Sequence, residues 1–378
     1  VARADERGVP RDQLSGTVQN DILKEYVARG TYIYPVEPSL RLVTDIFSFC
    51  STEVPRWNSI SISGYHIREA GATAPQEIAF TLANALEYVG RAVQRGLPLE
   101  QFAPRLSFFF AAHSNLFEEV AKFRAARRLW ARLLRDRYGA SDESCRLRFH
   151  TQTGGVTLTA QQPLNNVVRV ALQALAAVLG GTQSLHTNGF DEALALPTQE
   201  AAKLALRTQQ VIAEETGVAD TVDPLGGSYF VEALTDTLEQ LALEYLRQVE
   251  SLGGAAQAIG YIQDQIERSA YEHQMQVESG ERPIVGVNVY REQEGPPRIE
   301  QPDYSKLEAE QRRKVQALRS RRDAVRVRAA LDRLRGAASQ ADQNLVPLIV
   351  EAAKAMATLG EVSDVLRAEW GLHGGVAA

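Results

Sequence analysis

Short stretches in which apolar and polar residues alternate recur along the first half of the chain, and each precedes a stretch with helical periodicity. The clearest is 58–64, where three serines alternate with Ile60 and Ile62. A period of two predicts a β-strand. Similar strands are predicted at the start of 14–26 and at 104–110, 146–153 and 183–188. Because strands that alternate with helices are typical of parallel sheets, the pattern predicts an α/β fold.

Helical periodicity fills the segments between these strands and most of the second half of the chain. Thr73 and Gln76 have the spacing of a capping box, which marks the start of one helix. Further helices are predicted at 39–53, 114–138, 163–179, much of 191–275, 305–336, 343–358 and 361–370. A Pro-rich connector at 296–302 precedes the last three, so a helical C-terminal appendage is expected after the α/β part.

One face of each predicted strand is polar and modest in bulk, while the opposite face is apolar. The polar faces carry Thr17, Gln19, Ser59, Ser61, Ser63, Arg105, Ser107, Phe109, Arg148, His150 and Gln152. A (β/α)8 barrel usually fills its interior with branched aliphatic residues, and an open parallel sheet needs two apolar faces. The pattern therefore predicts a TIM-barrel type fold with a hydrophilic bore, which suits an elongated polar ligand.

Tyr65 and His66 directly follow the strand predicted at 58–64. The carboxyl ends of parallel strands are where α/β proteins place their chemistry. An aromatic hydroxyl and an imidazole at this position are therefore candidates for a binding or catalytic site. A structural histidine in the loop after a core strand is an equally good interpretation of these residues alone.

The chain has 378 residues and a formal net charge of −6. That charge gives no reason to expect nucleic acid or an anionic membrane as a partner, and no apolar run approaches the roughly 20 residues that a bilayer requires. Cys50 and Cys145 are too few for a disulfide framework or a zinc site, which fits a cytoplasmic protein. The first residue is Val, which favours a piece of a longer protein.

Seven motifs along the chain resemble the methylmalonyl-CoA mutase large-subunit family. They are Gly16-Thr-Val-Gln-Asn-Asp-Ile-Leu-Lys-Glu25, Ser59-Ile-Ser-Ile-Ser-Gly-Tyr-His66, Ala103-Pro-Arg-Leu-Ser-Phe-Phe109, His150-Thr-Gln-Thr-Gly154, Gly180-Gly-Thr-Gln-Ser-Leu-His-Thr-Asn188, Asp223-Pro-Leu-Gly-Gly-Ser-Tyr229 and Val285-Gly-Val-Asn288. They occur in the family's order, and the match runs from about 14 to 370. The resemblance implies a coenzyme-B12-dependent acyl-CoA mutase, in which a TIM barrel is threaded by the pantetheine of CoA and capped at its carboxyl end by the corrin.

The resemblance also implies roles for single residues. His66 resembles the histidine that hydrogen-bonds the thioester carbonyl of the substrate, and Tyr65 resembles its neighbour on the corrin side, so both are predicted to be catalytic. Arg29 resembles the arginine that pairs with the free carboxylate of methylmalonyl-CoA. The other predicted substrate-binding residues are Gln19, Thr17, Asn58, Arg105, Ser107 and Gln152. The predicted cofactor-binding residues, for adenosylcobalamin, are Glu69, Gly155, Glu192 and Ala193.

Arg29 bears on the choice of substrate. Relatives that act on isobutyryl-CoA or 2-hydroxyisobutyryl-CoA have no substrate carboxylate and usually carry glutamine here, and a buried arginine without an anion would be a costly unpaired charge. The resemblance therefore favours methylmalonyl-CoA, with ethylmalonyl-CoA left open. From the residues alone, a structural ion pair of Arg29 with Glu25 or Glu37 is the more ordinary interpretation.

Two features of the family are missing from the sequence. The cobalamin-binding signature Asp-x-His-x-x-Gly does not occur around any of the six histidines. The cofactor is therefore expected to be bound jointly with a separate cobalamin-binding domain or small subunit, in a hetero-oligomer. The family's first strands precede the position that matches Leu14, so the chain is expected to supply only the later strands, a partial barrel completed by an N-terminal half.

The predicted domains are the C-terminal part of the barrel at 1–292, a linker at 293–304 and a helical region at 305–378. The predicted function is an adenosylcobalamin-dependent radical isomerase that interconverts methylmalonyl-CoA and succinyl-CoA, as a catalytic subunit or part of one. A half that is inactive alone and acts only as an assembly partner is the alternative.

Overall fold

The computed structural model describes residues 1–292 and 303–374. The strands in this part are β1 (Gly16–Thr17), β2 (Trp57–Asn58), β3 (Ile60–Ser63), β4 (Leu106–Ala112), β5 (Phe149–Thr153) and β6 (Ser184–His186). All of these strands pair in parallel. The predicted α/β class with parallel strands is confirmed.

The strands follow one another across the sheet in chain order. β3, β4, β5 and β6 form one sheet, and β1 pairs with β2, which precedes β3 by a single residue. The connections between paired strands contain helices, as parallel pairing requires. Within the described residues the order ends at β1 and β6 without closing. The fold is therefore consistent with part of a TIM-type barrel, and the described strands form no closed barrel.

The helices surround this sheet and continue beyond it. They are α1 (Ala2–Glu6), α2 (Val36–Glu53), α3 (Tyr65–Glu69), α4 (Ala74–Gln94), α5 (Leu99–Phe102), α6 (Leu116–Tyr138), α7 (Asn165–Leu179), α8 (Gln199–Glu215), α9 (Tyr229–Ser251), α10 (Ile259–Ser279), α11 (Ser305–Arg321), α12 (Ala324–Ala338), α13 (Val346–Lys354) and α14 (Leu359–Trp370). Helices α4, α6 and α9 share one hydrophobic core with the apolar faces of the strands, including Ile60, Ile62, Phe108 and Phe110.

Two predicted helix starts have different outcomes. Thr73 and Gln76 form the predicted capping box at the start of α4. The helix predicted from 39 begins three residues earlier, at Val36. Pro38 does not prevent this, because the N–H groups of the first helical turn have no partner within the helix and proline is tolerated there.

The single charged helix predicted at 305–336 is wrong. The segment forms two helices, α11 and α12, which separate at Arg322 and Asp323. The Asp323 side chain accepts the N–H groups of Val325 and Arg326, so it caps a new helix at this position. Arg322 is held outside both helices by its ion pair with Glu361.

Helices α12 to α14 pack around a second core, which also contains Tyr34 from the α/β part. Arg41 of α2 joins the two parts, since its guanidinium donates to the carbonyls of Ala337 and Ala338 at the end of α12. The predicted linker at 293–304 lies mostly outside the described residues, as do 375–378. Among the described helices, none combines the length and apolar character that a membrane span needs.

Gly64 connects β3 to α3 at a point that leaves no room for a side chain. A Cβ at this position would clash with Thr81 Oγ1 and would lie 2.9 Å from Glu77 Cγ, both on α4. Because overpacking a core costs about 1–3 kcal/mol, Gly64→Ala is expected to lower the free energy of unfolding by that amount. Urea denaturation followed by circular dichroism measures the difference.

Gly336 of α12 provides the matched control. A Cβ there would meet no atom within 4 Å, and alanine favours a helix over glycine by about 1 kcal/mol. Gly336→Ala is therefore expected to maintain or raise the free energy of unfolding. Equal stability of the two variants would show that α4 can move away from the end of β3.

Candidate functional site

A groove of about 360 Å³ runs along the polar face of the sheet. Residues in or next to each of the six strands line it, among them Thr17, Gln19, Asn58, Ser61, Ser107, Phe109, Arg148, His150 and Ser184. Ile60, Ile62 and Phe110 of the same strands belong instead to the main core. The groove therefore lies on the face where the alternation of the sequence predicts a polar bore.

The register of the strands brings these polar side chains together. Ser61 lies opposite Ser107, and His150 lies opposite Ser184. His150 Nδ1 is 2.7 Å from Ser184 Oγ, and Asn58 Nδ2 donates to Thr17 Oγ1 at 2.8 Å. Since residues in register on neighbouring strands share a face, the groove stays polar from β1 to β6.

Two guanidinium groups lie near the amino-terminal ends of β4 and β5. Arg148 Nη2 donates to the carbonyls of Pro104 and Leu106. Burial, with the charge of Arg105, lowers the pKa of Arg148. Arg105 is half-buried in the turn that precedes β4. Two cations at this end of a polar groove favour an anionic group of a ligand there.

His66 lies at the start of α3, just beyond the end of β3. Its Nδ1 is 2.7 Å from the hydroxyl of Ser63. Burial, with the charges of Lys24 and Arg29, lowers the pKa of His66 to about 4. The imidazole is therefore neutral at neutral pH, and its Nε2 has no hydrogen-bond partner among the residues that the structure describes.

Tyr65 links the end of the groove to the carboxyl ends of β5 and β6. Its ring stacks on Phe109 with centroids 4.7 Å apart, and its hydroxyl accepts a hydrogen bond from Gln152 Nε2 at 2.9 Å. The same nitrogen donates to Asn188 Oδ1 at 2.8 Å, and Asn188 Nδ2 donates to the carbonyl of Thr153. Burial raises the pKa of Tyr65 well above its usual range. Tyr65 therefore remains a neutral phenol, and its hydrogen-bond partner Gln152 is held in place by Asn188.

Glu69 lies at the end of α3, against the turn that follows β5. Its Oε2 accepts the N–H of Val156 at 2.9 Å, while its buried Oε1 has no hydrogen-bond partner among the described residues and lies 3.9 Å from His113 Nε2. A Cβ on Gly155 would lie 3.0 Å from Glu69 Oε2 and 3.2 Å from Asn188 Nδ2. Burial, with the charge of Glu192, raises the pKa of Glu69 to about 7. The turn is therefore packed closely against a carboxyl that has one unused acceptor.

The predicted cofactor-binding residues thus lie close together in the structure. A Cβ on Gly155 would lie 3.6 Å from Glu192 Cγ, and Ala193 is exposed directly after Glu192. Together with Glu69 they surround the carboxyl ends of β5 and β6.

Replacing Glu69 by glutamine is expected to change how stability depends on pH. A carboxyl whose pKa rises from 4.5 to about 7 on folding binds more protons in the folded state between these values. Its stabilising effect is therefore complete at low pH and is lost as the pH rises through 7. The melting temperature of the wild type, relative to Glu69→Gln, should fall across this window and then stay constant. A difference that does not change with pH would show that Glu69 titrates normally.

Arg29 ends a π-helical turn, Glu25–Arg29, which packs against α3. Its Nη1 lies 3.5 Å from Glu25 Oε1, and 51% of its side chain is exposed. The structural pairing with Glu25 is thus present, but it uses one nitrogen of the guanidinium. Glu37, the other candidate partner, is bonded to Arg91 instead. The remaining N–H groups of Arg29 meet no acceptor within the described ranges.

Several residues of the site are absent from the predicted binding set. His150 is on the polar face of β5, so the alternation places it in the groove although no role was assigned to it. Asn188 lies two residues after the end of β6, and its position at a strand's carboxyl end is the signal that could have found it. Lys24 is 2% exposed and lies 3.0 Å from Glu25. Its burial carries no local signal, because lysine is almost always exposed.

The chain is similar in sequence to known proteins over nearly its whole length. The sequence profile of the family described as methylmalonyl-CoA mutase matches residues 1–372. The chain is 51% identical over 377 residues to the 2-hydroxyisobutanoyl-CoA mutase large subunit of Aquincola tertiaricarbonis, covering 99% of this chain and 67% of that protein. It is 50% identical over 374 residues to methylmalonyl-CoA mutase of Rhizobium meliloti (strain 1021), covering 98% and 52%. It is 48% identical over 381 residues to the methylmalonyl-CoA mutase large subunit of Propionibacterium freudenreichii subsp. shermanii, covering 99% and 52%.

These matches cover nearly all of this chain but only part of the relatives. The chain spans about half the length of the two proteins named methylmalonyl-CoA mutase and 67% of the third. The profile match extends over both the α/β part and the helical region that follows it. On this evidence, the chain belongs to the methylmalonyl-CoA mutase family.

Proposed function

We propose that the chain is the C-terminal part of the catalytic subunit of an adenosylcobalamin-dependent isomerase that interconverts methylmalonyl-CoA and succinyl-CoA. The observation that carries this proposal is a polar groove that ends at Phe109, whose ring contacts Tyr65 and His66. Arg29 lies close enough for its charge to act on His66. A neutral donor and a cation at the end of an elongated groove fit a thioester with a free carboxylate.

The groove would hold the CoA part of the substrate. The hydroxyls and amides of Thr17, Asn58 and Ser107 suit the amide groups of pantetheine, which need both donors and acceptors. Arg105 would attract the phosphates at the amino-terminal end, and Gln19 would lie beside the thioester. Arg29 would take the free carboxylate, since a guanidinium can bind it with two hydrogen bonds.

His66 would act as a neutral hydrogen-bond donor to the thioester carbonyl. A Ser63 hydroxyl that donates to Nδ1 leaves the imidazole proton on Nε2, the atom without a partner in the described structure. This donor would stabilise the charge that develops on the carbonyl oxygen as the acyl group migrates. Tyr65, Phe109 and Gln152 would exclude water from the same place.

Adenosylcobalamin fits the residues at the carboxyl ends of β5 and β6. The buried Oε1 of Glu69 accepts no hydrogen bond within the described residues, although His113 Nε2 lies 3.9 Å away, and Gly155 keeps the adjacent surface free of a side chain. The carboxyl groups of Glu69 and Glu192 would accept hydroxyl and amide hydrogens of the cofactor, and Gly155 and Ala193 would pack against it. When bound, the cofactor supplies a carbon-centred radical by homolysis of its cobalt–carbon bond.

The partners belong to the same proposal. An N-terminal part would complete the barrel beyond β1 and β6, and a cobalamin-binding domain or small subunit would cover the cofactor in a hetero-oligomer. The name "large subunit" of two relatives supports such a partner.

The barrel part at 1–292 and the helical region at 305–378 would form successive units of one subunit. A cytoplasmic location is proposed from the two free cysteines.

The choice of substrate rests on Arg29 and not on overall identity. The chain is about equally similar to a relative named for 2-hydroxyisobutanoyl-CoA and to relatives named for methylmalonyl-CoA. An acyl group without a carboxylate would offer the unpaired N–H groups of Arg29 no charged hydrogen-bond acceptor. Methylmalonyl-CoA is therefore favoured, and ethylmalonyl-CoA, isobutyryl-CoA and 2-hydroxyisobutyryl-CoA are the competing substrates to compare.

An assay with all the parts present tests the proposal. The chain, its N-terminal part, a cobalamin-binding partner and adenosylcobalamin are expected to convert methylmalonyl-CoA to succinyl-CoA, followed by chromatography of the CoA esters. Absence of turnover from a folded, fully assembled protein would contradict the proposed activity.

An inactive assembly partner is the second candidate, favoured by the open order of the described strands. Size-exclusion chromatography and thermal melting show whether the chain alone folds as a cooperative monomer, and measurements on the full assembly then distinguish the two candidates. A chain that folds alone but binds no acyl-CoA after assembly would support the assembly role, whereas turnover in the full assembly would exclude it.

A further inference from the structure

Arg29 pairs with Glu25, one of two buried charged residues at the turn that precedes α2. Glu25 Oε1 lies 3.0 Å from Lys24 Nζ and 3.5 Å from Arg29 Nη1, and Glu25 Oε2 accepts the hydroxyl of Thr31. Lys24 is 2% exposed and Glu25 is 10% exposed, whereas Arg29 is half exposed. One carboxylate thus stands between two cations.

The π-helical turn explains how adjacent residues reach this arrangement. The N–H of Gly30 donates to the carbonyl of Glu25 at 2.7 Å, five residues earlier, and Gly30 takes a left-handed conformation with φ of 79°. The turn frees the carbonyl of Tyr26, which accepts Gln263 Nε2 of α10 at 2.8 Å. Such turns are often found at functional sites. Here the turn fixes Glu25 and Arg29 on the side that faces α3 and His66.

The charges within this trio are unequal. Within the trio, the two cations outnumber the single carboxylate by one charge. Asp21 is the other acid near Lys24, but burial raises its pKa and so disfavours its charged form, and its oxygens accept the N–H groups of Ser63 and Lys24 and the hydroxyl of Tyr88. Glu25, by contrast, uses its oxygens on Lys24, Thr31 and Arg29, and it keeps two of these partners if Arg29 turns towards a ligand.

We infer that Lys24 and Glu25 are specificity-determining positioning residues for the acyl group. Glu25 orients the guanidinium of Arg29, and the buried ammonium of Lys24 compensates Glu25, so that the charge of Arg29 stays available to a substrate carboxylate. This inference rests on the proposed function, because it assumes that an acyl-CoA carboxylate is the ligand of Arg29. Lys24 would thus affect recognition of the substrate carboxylate through Glu25 and Arg29, without touching the substrate.

Methylmalonyl-CoA and isobutyryl-CoA form a matched pair of probes, because they differ by a carboxylate in place of a methyl group. Calorimetry on the fully assembled protein without adenosylcobalamin gives both dissociation constants with no turnover. The dissociation constant for isobutyryl-CoA divided by that for methylmalonyl-CoA measures carboxylate recognition. The constant for isobutyryl-CoA alone reports whether the groove is intact.

Lys24→Met is expected to reduce this ratio about tenfold, since an uncompensated Glu25 would hold Arg29 and repel the carboxylate. The constant for isobutyryl-CoA should remain within about threefold of the wild type. The double variant Lys24→Met/Glu25→Gln should restore the ratio to within about threefold, because glutamine removes the repelling charge and keeps an amide oxygen that can accept a hydrogen bond from Arg29. A merely structural Lys24 would give no such recovery.

The outcomes separate the inference from the function on which it rests. A double variant no better than Lys24→Met, or equal weakening of both probes by Lys24→Met, would overturn the inference. If the wild-type assembly shows no turnover but the double variant restores the ratio, the proposed reaction is wrong and the carboxylate site stands. If the wild type turns over methylmalonyl-CoA but Lys24→Met leaves the ratio unchanged, the reaction stands and the inference about Lys24 and Glu25 is wrong.

Discussion

His66→Ala is expected to lower kcat about 10²- to 10³-fold while the dissociation constant of the substrate changes less than about threefold. Nε2 is the nitrogen that meets no partner in the described structure, and the pKa of His66, lowered to about 4, keeps the ring neutral. In the proposed reaction the carbonyl oxygen would gain charge as the acyl group migrates, so a hydrogen bond from His66 would be stronger in the transition state than in the ground state. Removing one such donor costs about 10²–10³ in kcat.

Turnover with saturating cofactor and calorimetry without cofactor measure the two quantities separately. Ser63→Ala is the matched control, because it keeps the imidazole and removes the hydroxyl that holds Nδ1. It should lower kcat less than His66→Ala does. If His66→Ala weakens binding and turnover equally, the bond contributes to uniform binding and not to catalysis.

The polar groove could be predicted from the sequence because its cause is local. Side chains alternate along a strand, so the serines of β3 and the residues His150 and Gln152 of β5 must share a face once the strands are parallel. The carboxyl end of β3 likewise fixes the region of Tyr65 and His66. Both inferences need only the period of a strand and the direction of its neighbours.

The partners of these side chains could not be predicted, since they come from distant parts of the chain. Gln152 is held by Asn188, and the end of α12 is held by Arg41 of α2. The break between α11 and α12 depends on one cap, Asp323, inside a segment whose charges and periodicity fit a single helix. No pattern in the sequence distinguishes that cap from the exposed acids around it.

The buried charges near Arg29 show the same limit. Lys24 and Glu25 read as ordinary surface residues at the end of a helical pattern, and only the π-helical turn brings both into contact with the site. The pairing of Arg29 with Glu25, which the residues alone favour, is present in the structure. It does not exclude the binding role that the family resemblance implies, because one contact leaves most of the guanidinium unused.

Arg29→Gln is expected to lower kcat/KM for methylmalonyl-CoA about 10- to 100-fold and to leave the binding of free CoA nearly unchanged. A hydrogen bond to a charged group contributes about 1.5–3 kcal/mol, and glutamine offers one neutral donor in place of a charged fork. In the proposed binding mode the carboxylate is on the acyl group, at the opposite end of the substrate from the phosphates, which Arg105 would attract. Steady-state kinetics and CoA titration measure the two effects.

Arg105→Gln is the matched control at the other end of the groove, and it should weaken free CoA and methylmalonyl-CoA by similar factors. The two arginines therefore predict opposite patterns from the same substitution: a loss specific to the carboxylated ester for Arg29 and a loss common to all CoA compounds for Arg105. An Arg29→Gln variant that weakens free CoA as much as it weakens turnover would show that the pair with Glu25 supports the fold of the π-helical turn, and the assignment of the acyl carboxylate to Arg29 would be wrong.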